Sequence, residues 1–182
     1  MIRFPGLVSI LLLVTAAALP GCVTMDPDEC KHANWNDVGL RDGLAGAALS
    51  LLDSRVKDCA QAQVTVDTPR YLQGRNQGLL SYCRIENAAA LGLDGKRYNG
   101  VCPAGIDAEF RRRWQIGSDV RNLRERAHSL DHRREPLERR LRDSRSDEER
   151  RTLRNELSEL DSALRRARDR LRDAEWALDH LR

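Results

Sequence analysis

Leu153-Arg154-Asn155-Glu156-Leu157-Ser158-Glu159-Leu160-Asp161-Ser162-Ala163-Leu164-Arg165-Arg166-Ala167 places apolar residues at alternating steps of four and three, with charged or hydroxylated residues filling most other positions. The series continues through Leu171, Ala174, Leu178 and Leu181. An equivalent series precedes it at Ile116, Val120, Leu123, Ala127, Leu130, Arg134, Leu137 and Leu141. This is the narrow seam of a left-handed coiled coil. Asp143-Ser144-Arg145 interrupts the pattern, and Ser146 with Glu149 three residues on reads as a capping box opening a second helix. Two helices are therefore predicted, near Asp107–Arg142 and Asp147–Leu181, each about 50 Å long. Folding back at Ser144–Ser146 sets Leu137 against Leu153, Leu130 against Leu160, Ala127 against Leu164, Leu123 against Ala167 and Val120 against Leu171. Large then faces small in two successive layers, which favours an antiparallel hairpin. An oligomeric coiled coil is the rival arrangement. Pro136 removes a backbone donor and is expected to kink the first helix near Arg133.

The stretch before this tail is of another kind. It holds Cys30, Cys59, Cys83 and Cys102, an even set that reads as a disulfide framework in an exported domain. Four cysteines allow three pairings, and loop closure mildly favours Cys30–Cys59 with Cys83–Cys102. The set lacks the C-x-x-C spacing of zinc or redox sites, so no metal and no cofactor are expected. Aromatic and β-branched residues are sparse, which argues against strands.

Two segments of this block echo each other. Trp35-Asn36-Asp37-Val38-Gly39-Leu40-Arg41-Asp42-Gly43-Leu44 sets an aromatic ahead of two glycines four apart, and Tyr71-Leu72-Gln73-Gly74-Arg75-Asn76-Gln77-Gly78-Leu79-Leu80 does the same. Trp114-Gln115-Ile116-Gly117 is a partial third copy. Residues four apart share a helix face, so Gly39/Gly43 and Gly74/Gly78 are predicted strips for close helix approach. Each glycine costs about 1 kcal/mol in a helix interior, which implies a packing reason. Asp67-Thr68-Pro69 reads as a helix start, and Leu91-Gly92-Leu93-Asp94-Gly95-Lys96 as a loop. Asp42, Asp53 and Asp58 read as solvated carboxylates. A ligand site, if the block holds one, is expected at Arg41 and Arg75 with Tyr71, Tyr82 and Tyr98 nearby, either arginine pairing a carboxylate.

At the N-terminus a basic start, Arg3, precedes the apolar run Leu7 to Leu19, which is too short for a good membrane span and reads as a signal peptide. Leu19-Pro20-Gly21-Cys22 closes it and resembles a bacterial lipobox, in which the cysteine after the glycine is lipidated. Cys22 would then carry acyl chains, two or more of which give stable anchoring. Val23 and Thr24 follow with no aspartate, which by resemblance to Gram-negative lipoproteins implies the outer membrane. Residues 22–117 hold 12 basic and 12 acidic residues and residues 118–182 hold 18 and 16, so neither part has the positive surplus that nucleic acid demands. His128 and His132 lie four apart, but Ser129 stands where the zinc protease motif requires glutamate.

Val38-Gly39-Leu40-Arg41-Asp42-Gly43, Tyr71-x-x-Gly74-Arg75-x-Gln77-Gly78-Leu79-x-x-Tyr82-Cys83 and Tyr98-Asn99-Gly100-Val101-Cys102-Pro103 together resemble the bacterial lipoproteins grouped as domain-of-unknown-function family 2799. The resemblance covers roughly Cys30 to Gly117 and implies a location and a module, with no activity to carry over. The expected organisation is a signal peptide (1–21), a lipid anchor and tether (22–29), a disulfide-stapled helical domain (30–117) and a helical hairpin (118–182), all-α throughout. The expected function is a noncatalytic structural or interaction role in the cell envelope, bound to membrane through its lipid and to an envelope protein through its tail. The alternative is a periplasmic ligand binder or enzyme using the cysteine block.

Overall fold

The computed structural model describes residues 24–181, and over that stretch the chain is all-helical. The predicted signal and Cys22, the predicted lipidation site, lie outside the described residues. The helices are α1 (Pro27–His32), α2 (Trp35–Leu44), α3 (Ser50–Gln61), α4 (Thr68–Tyr82), α5 (Asn87–Leu93), α6 (Ala104–Asp143) and α7 (Asp147–Asp179). Their starts follow local chemistry. Asp26 and Glu29 form a reciprocal capping box on α1, Asn34 caps α2, and Asp67 caps α4 with Pro69 in its first turn.

The cysteines pair in sequence order. Cys30 of α1 bonds Cys59 of α3, and Cys83 at the end of α4 bonds Cys102 just before α6, with Cα separations of 5.5 and 5.6 Å. Each bridge sits in its own apolar cluster. The first gathers Met25, Trp35, Val38, Leu52, Val66 and Tyr71. The second gathers Leu79, Tyr82, Ala88, Tyr98 and Phe110. Helix α4 runs through both, with Tyr71 at one end and Leu79 and Tyr82 at the other.

Backbone contact at glycine joins the helices. A Cβ on Gly39 would stand 2.0 Å from the Tyr71 carbonyl oxygen, and one on Gly74 1.9 Å from that of Asn36. Gly43 and Gly78 meet the Arg75 and Leu40 carbonyls in the same way. The two glycine strips thus face each other across the α2/α4 contact. A second contact of this kind joins α5 to α6, where Gly92 lies on the Trp114 carbonyl and Gly117 on that of Ala89. This corrects the reading of Leu91–Lys96 as a loop: Gly92 is buried inside α5, and the chain turns only from Asp94. Glycine was read there as a breaker, whereas its missing side chain admits the neighbouring helix.

Helix α6 begins at Ala104, earlier than predicted, and runs without a break past position 117 to Asp143. One helix of about 60 Å therefore belongs to both the cysteine block and the hairpin. Phe110, Gly117 and Val120 are its buried residues. Pro136 lies inside the helix and does not end it. Helix α7 returns antiparallel along α6, as the ion pairs Arg140–Glu149, Arg134–Asp161, Arg168–Asp131 and Arg124–Glu175 show in succession from the turn. Leu130 and Leu160 share one groove between the helices, and Leu123 and Ala167 another. Leu153, Leu160, Leu164 and Ala167 are buried. The box predicted at Ser146 is one-sided: Ser146 Oγ accepts from the Glu149 amide, while the Glu149 carboxylate accepts from Ser144 Oγ at 2.7 Å. No described helix is long and apolar enough to cross a membrane.

Candidate functional site

Helix α2 presents Trp35, Val38 and Asp42 on one face, at steps of three and four, and all three are buried. Asp42 is 7% exposed. It was expected in solvent; instead Arg55 of α3 grips it with both Nε (3.0 Å to Oδ2) and Nη2 (2.8 Å to Oδ1), a bidentate pair. Tyr71 of α4 donates its hydroxyl to the same Oδ2 at 2.7 Å. Burial, followed by that hydrogen bond to Asp42, pushes the Tyr71 phenol well above the ordinary tyrosine range. Three helices are thus tied at one carboxylate. Arg55 was not among the residues singled out. Its signal was Asp42 itself, a charge on the helix face that also carries Trp35 and Val38, which demands a cationic partner when buried.

Arg75 is also 7% exposed, but it does not reach a carboxylate. Its Nη2 donates to the Ala47 carbonyl at 2.9 Å in the link between α2 and α3. The same link is held by Asn99 Nδ2 on the Gly46 carbonyl at 2.9 Å, and Gly46, at φ +62°, lies against the Tyr82 ring. A left-handed backbone and a ring in contact both require glycine there. Arg41, expected as the twin of Arg75, is exposed on the rim of a shallow groove it shares with Met25, Glu29, His32 and Asp37. The helical phase that buries Asp42 turns its neighbour Arg41 outward.

Tyr82 and Tyr98 belong to the second cluster. Their rings lie 5.6 and 4.9 Å from that of Phe110, and Trp114 stands 6.4 Å beyond Tyr98. The Tyr98 hydroxyl donates to Asp107 and accepts from the Cys102 amide at 3.3 Å. Burial, then the bond to Asp107, pushes Tyr98 up to about 12. That same bond holds Asp107 below its usual range. The Arg111 guanidinium lies 5.2 Å over the Tyr98 ring. The five predicted ligand-site residues therefore divide among three places: Tyr71 with Arg75, Tyr82 with Tyr98, and Arg41 alone on the rim.

Thr24, the first described residue, is docked. Its amide and hydroxyl both donate to Asp58 Oδ2 at 2.7 Å, which lowers the Asp58 pKa, and Arg55 Nη1 reaches the Thr24 carbonyl at 3.4 Å. Met25 next to it is buried. Among the described residues no group of three or more His, Cys, Asp or Glu side chains is arranged to hold a metal.

The buried carboxylate is neutralised, the four cysteines are oxidised, and the buried tyrosines are engaged or ring-packed. No solved structure matches the chain. Over 87 residues, 47% of this chain and 67% of the relative, it is 30% identical to the uncharacterized protein YfiL of Escherichia coli (strain K12). Residues 34–119 match the model of the family described as "Protein of unknown function (DUF2799)", a span holding both glycine contacts, Asp42, and the Cys83–Cys102 bridge. The chain belongs to the DUF2799 family.

Proposed function

We propose that this protein is a lipid-anchored envelope protein whose block holds a rigid hairpin out for a protein partner, with no catalysis of its own. The observation that carries the reading is the continuity of α6. Its first turns are fixed in the block by Gly117 against α5 and by Phe110 in the aromatic cluster. Beyond Val120 the same helix becomes one arm of the hairpin. The hairpin surface is dense in arginine and carboxylate, a solvated face suited to a specific polar contact. Two disulfides suit an oxidising compartment such as the periplasm. The docking of Thr24 on α3 supports a short tether from a lipidated Cys22 at the outer membrane.

Fractionation tests the anchor. Wild type is expected with outer membranes and without free thiols, and Cys22→Ser in the soluble fraction or unprocessed. Wild-type protein in the cytosol with Cys30, Cys59, Cys83 and Cys102 reduced overturns the proposal. Photo-crosslinking in intact cells tests the partner surface. Probes at exposed Arg139 and Arg151 are expected to give a discrete adduct that a probe at exposed Gln73 does not. Adducts from Gln73 alone would place the contact on the block.

A further inference from the structure

His128 and His132 stand one turn apart on α6, both exposed, with their Nε2 atoms 2.9 Å apart. Their rings are nearly perpendicular, at 79°, with centroids 4.2 Å apart. Two imidazole nitrogens one helical turn apart can chelate a single ion. The 2.9 Å separation is that of a hydrogen bond between the two rings, so both nitrogens already meet at one point on the surface. Cu2+ heads the affinity order for imidazole sites. We propose that His128 and His132 form a surface site for Cu2+, both Nε2 atoms ligating in cis and solvent water completing the shell.

The surroundings permit a cation. Three arginines near these turns are held in ion pairs: Arg124 with Glu175 at 2.7 Å, Arg121 with Glu125 at 2.8 Å, and Arg168 with Asp131 at 3.2 Å. Without metal, one Nε2–H donates to the other Nε2. Loading moves that proton to Nδ1 through solvent, so both rings remain neutral and both Nε2 lone pairs face the ion. Position adds a consequence. Pro136 has no N–H to donate to the His132 carbonyl four residues back, so the helix lacks a bond at the end of the chelating turn. A metal clip from 128 to 132 braces the turn of α6 immediately before that gap.

The test uses untagged, oxidised, full-length mature protein titrated with Cu2+, read by calorimetry, electron paramagnetic resonance and thermal unfolding. One-to-one binding, a tetragonal signal split by two nitrogens, and a raised unfolding midpoint are expected. His128→Gln and His132→Gln should each weaken binding at least tenfold and remove the midpoint shift, with helicity unchanged. His32→Gln and His180→Gln should bind as wild type. Absence of binding in wild type, or wild-type affinity in either His128→Gln or His132→Gln, overturns the proposal.

Discussion

Replacing Gly74 by alanine should destabilise this protein, although in an ordinary helix the same change is stabilising by about 1 kcal/mol. The added Cβ would stand 1.9 Å from the Asn36 carbonyl oxygen, where ordinary contact begins at 3.4 Å. The obstacle is backbone, which cannot swing aside as a side-chain tip can. Helices α2 and α4 must therefore part locally by about 1.5 Å. Overpacking of this kind costs about 1–3 kcal/mol, and a gap of even 0.5–1 Å removes roughly a quarter to a half of the dispersion contact around it. Taking about 3 kcal/mol lost and about 1 kcal/mol returned by helix propensity, the net is about 2 kcal/mol. That lowers the thermal midpoint by about 4–8 °C for a chain of this size. Gly105 is the control, since a Cβ there meets nothing within 4 Å, so Gly105→Ala should be neutral or stabilising by up to about 1 kcal/mol. Urea unfolding followed by circular dichroism reads both. Gly39→Ala combined with Gly74→Ala should cost less than the two singles together, because the helices need part only once. A midpoint for Gly74→Ala at or above wild type would refute the close-approach argument.

Asp42→Asn should cost about 3 kcal/mol in the same assay, because it leaves the largely buried Arg55 without its counter-charge, whereas Tyr71→Phe should cost about 1 kcal/mol. Removing the Cys30–Cys59 bridge, with its separation of 29 residues, should cost about 3.6 kcal/mol, and removing Cys83–Cys102, with a separation of 19, about 3.2 kcal/mol; a paired serine series measures both. Hydrogen bonds from Arg112 and then Arg113 hold Glu109 down to about 2 from an ordinary 4.5. A carboxylate depressed in this way contributes stability that is complete above its unfolded value and is lost as pH falls from about 4.5 toward 2. Glu109→Gln should therefore lower stability slightly at neutral pH and flatten the acid limb between about 4.5 and 2, with the two profiles converging at the acid end.

Much of the architecture could be read from spacing. A four-three alternation of leucines can bury its apolar residues only as a helix, and Ser144–Ser146 marks the one place where the seam restarts. Paired glycines four apart, costly in any isolated helix, announced that another backbone would come close. Which backbone it was could not be read, because a glycine strip has no side chain to specify its partner. The same blankness made Gly92 look like a turn. Cap chemistry at Asp26, Asn34 and Asp67 is local and legible, while the Glu149 half of the Ser146 box was lost to a competing hydroxyl on Ser144.

Long-range polar pairing was decided elsewhere. Asp42 and Arg55 lie on different helices, and although its phase with Trp35 and Val38 marks Asp42 for burial, nothing in the sequence names Arg55 as its partner. Arg41 and Arg75 both lie between the paired glycines of their helices, yet one is on the surface and the other clamps the Ala47 carbonyl. Periodicity and cap residues act over a single helical turn, so the chain's order alone settled the two hairpin helices, their apolar seam and the capped starts. Desolvation acts only once helices pack, so the folded molecule alone settled which charges are buried, what neutralises them, and that α6 joins block to hairpin.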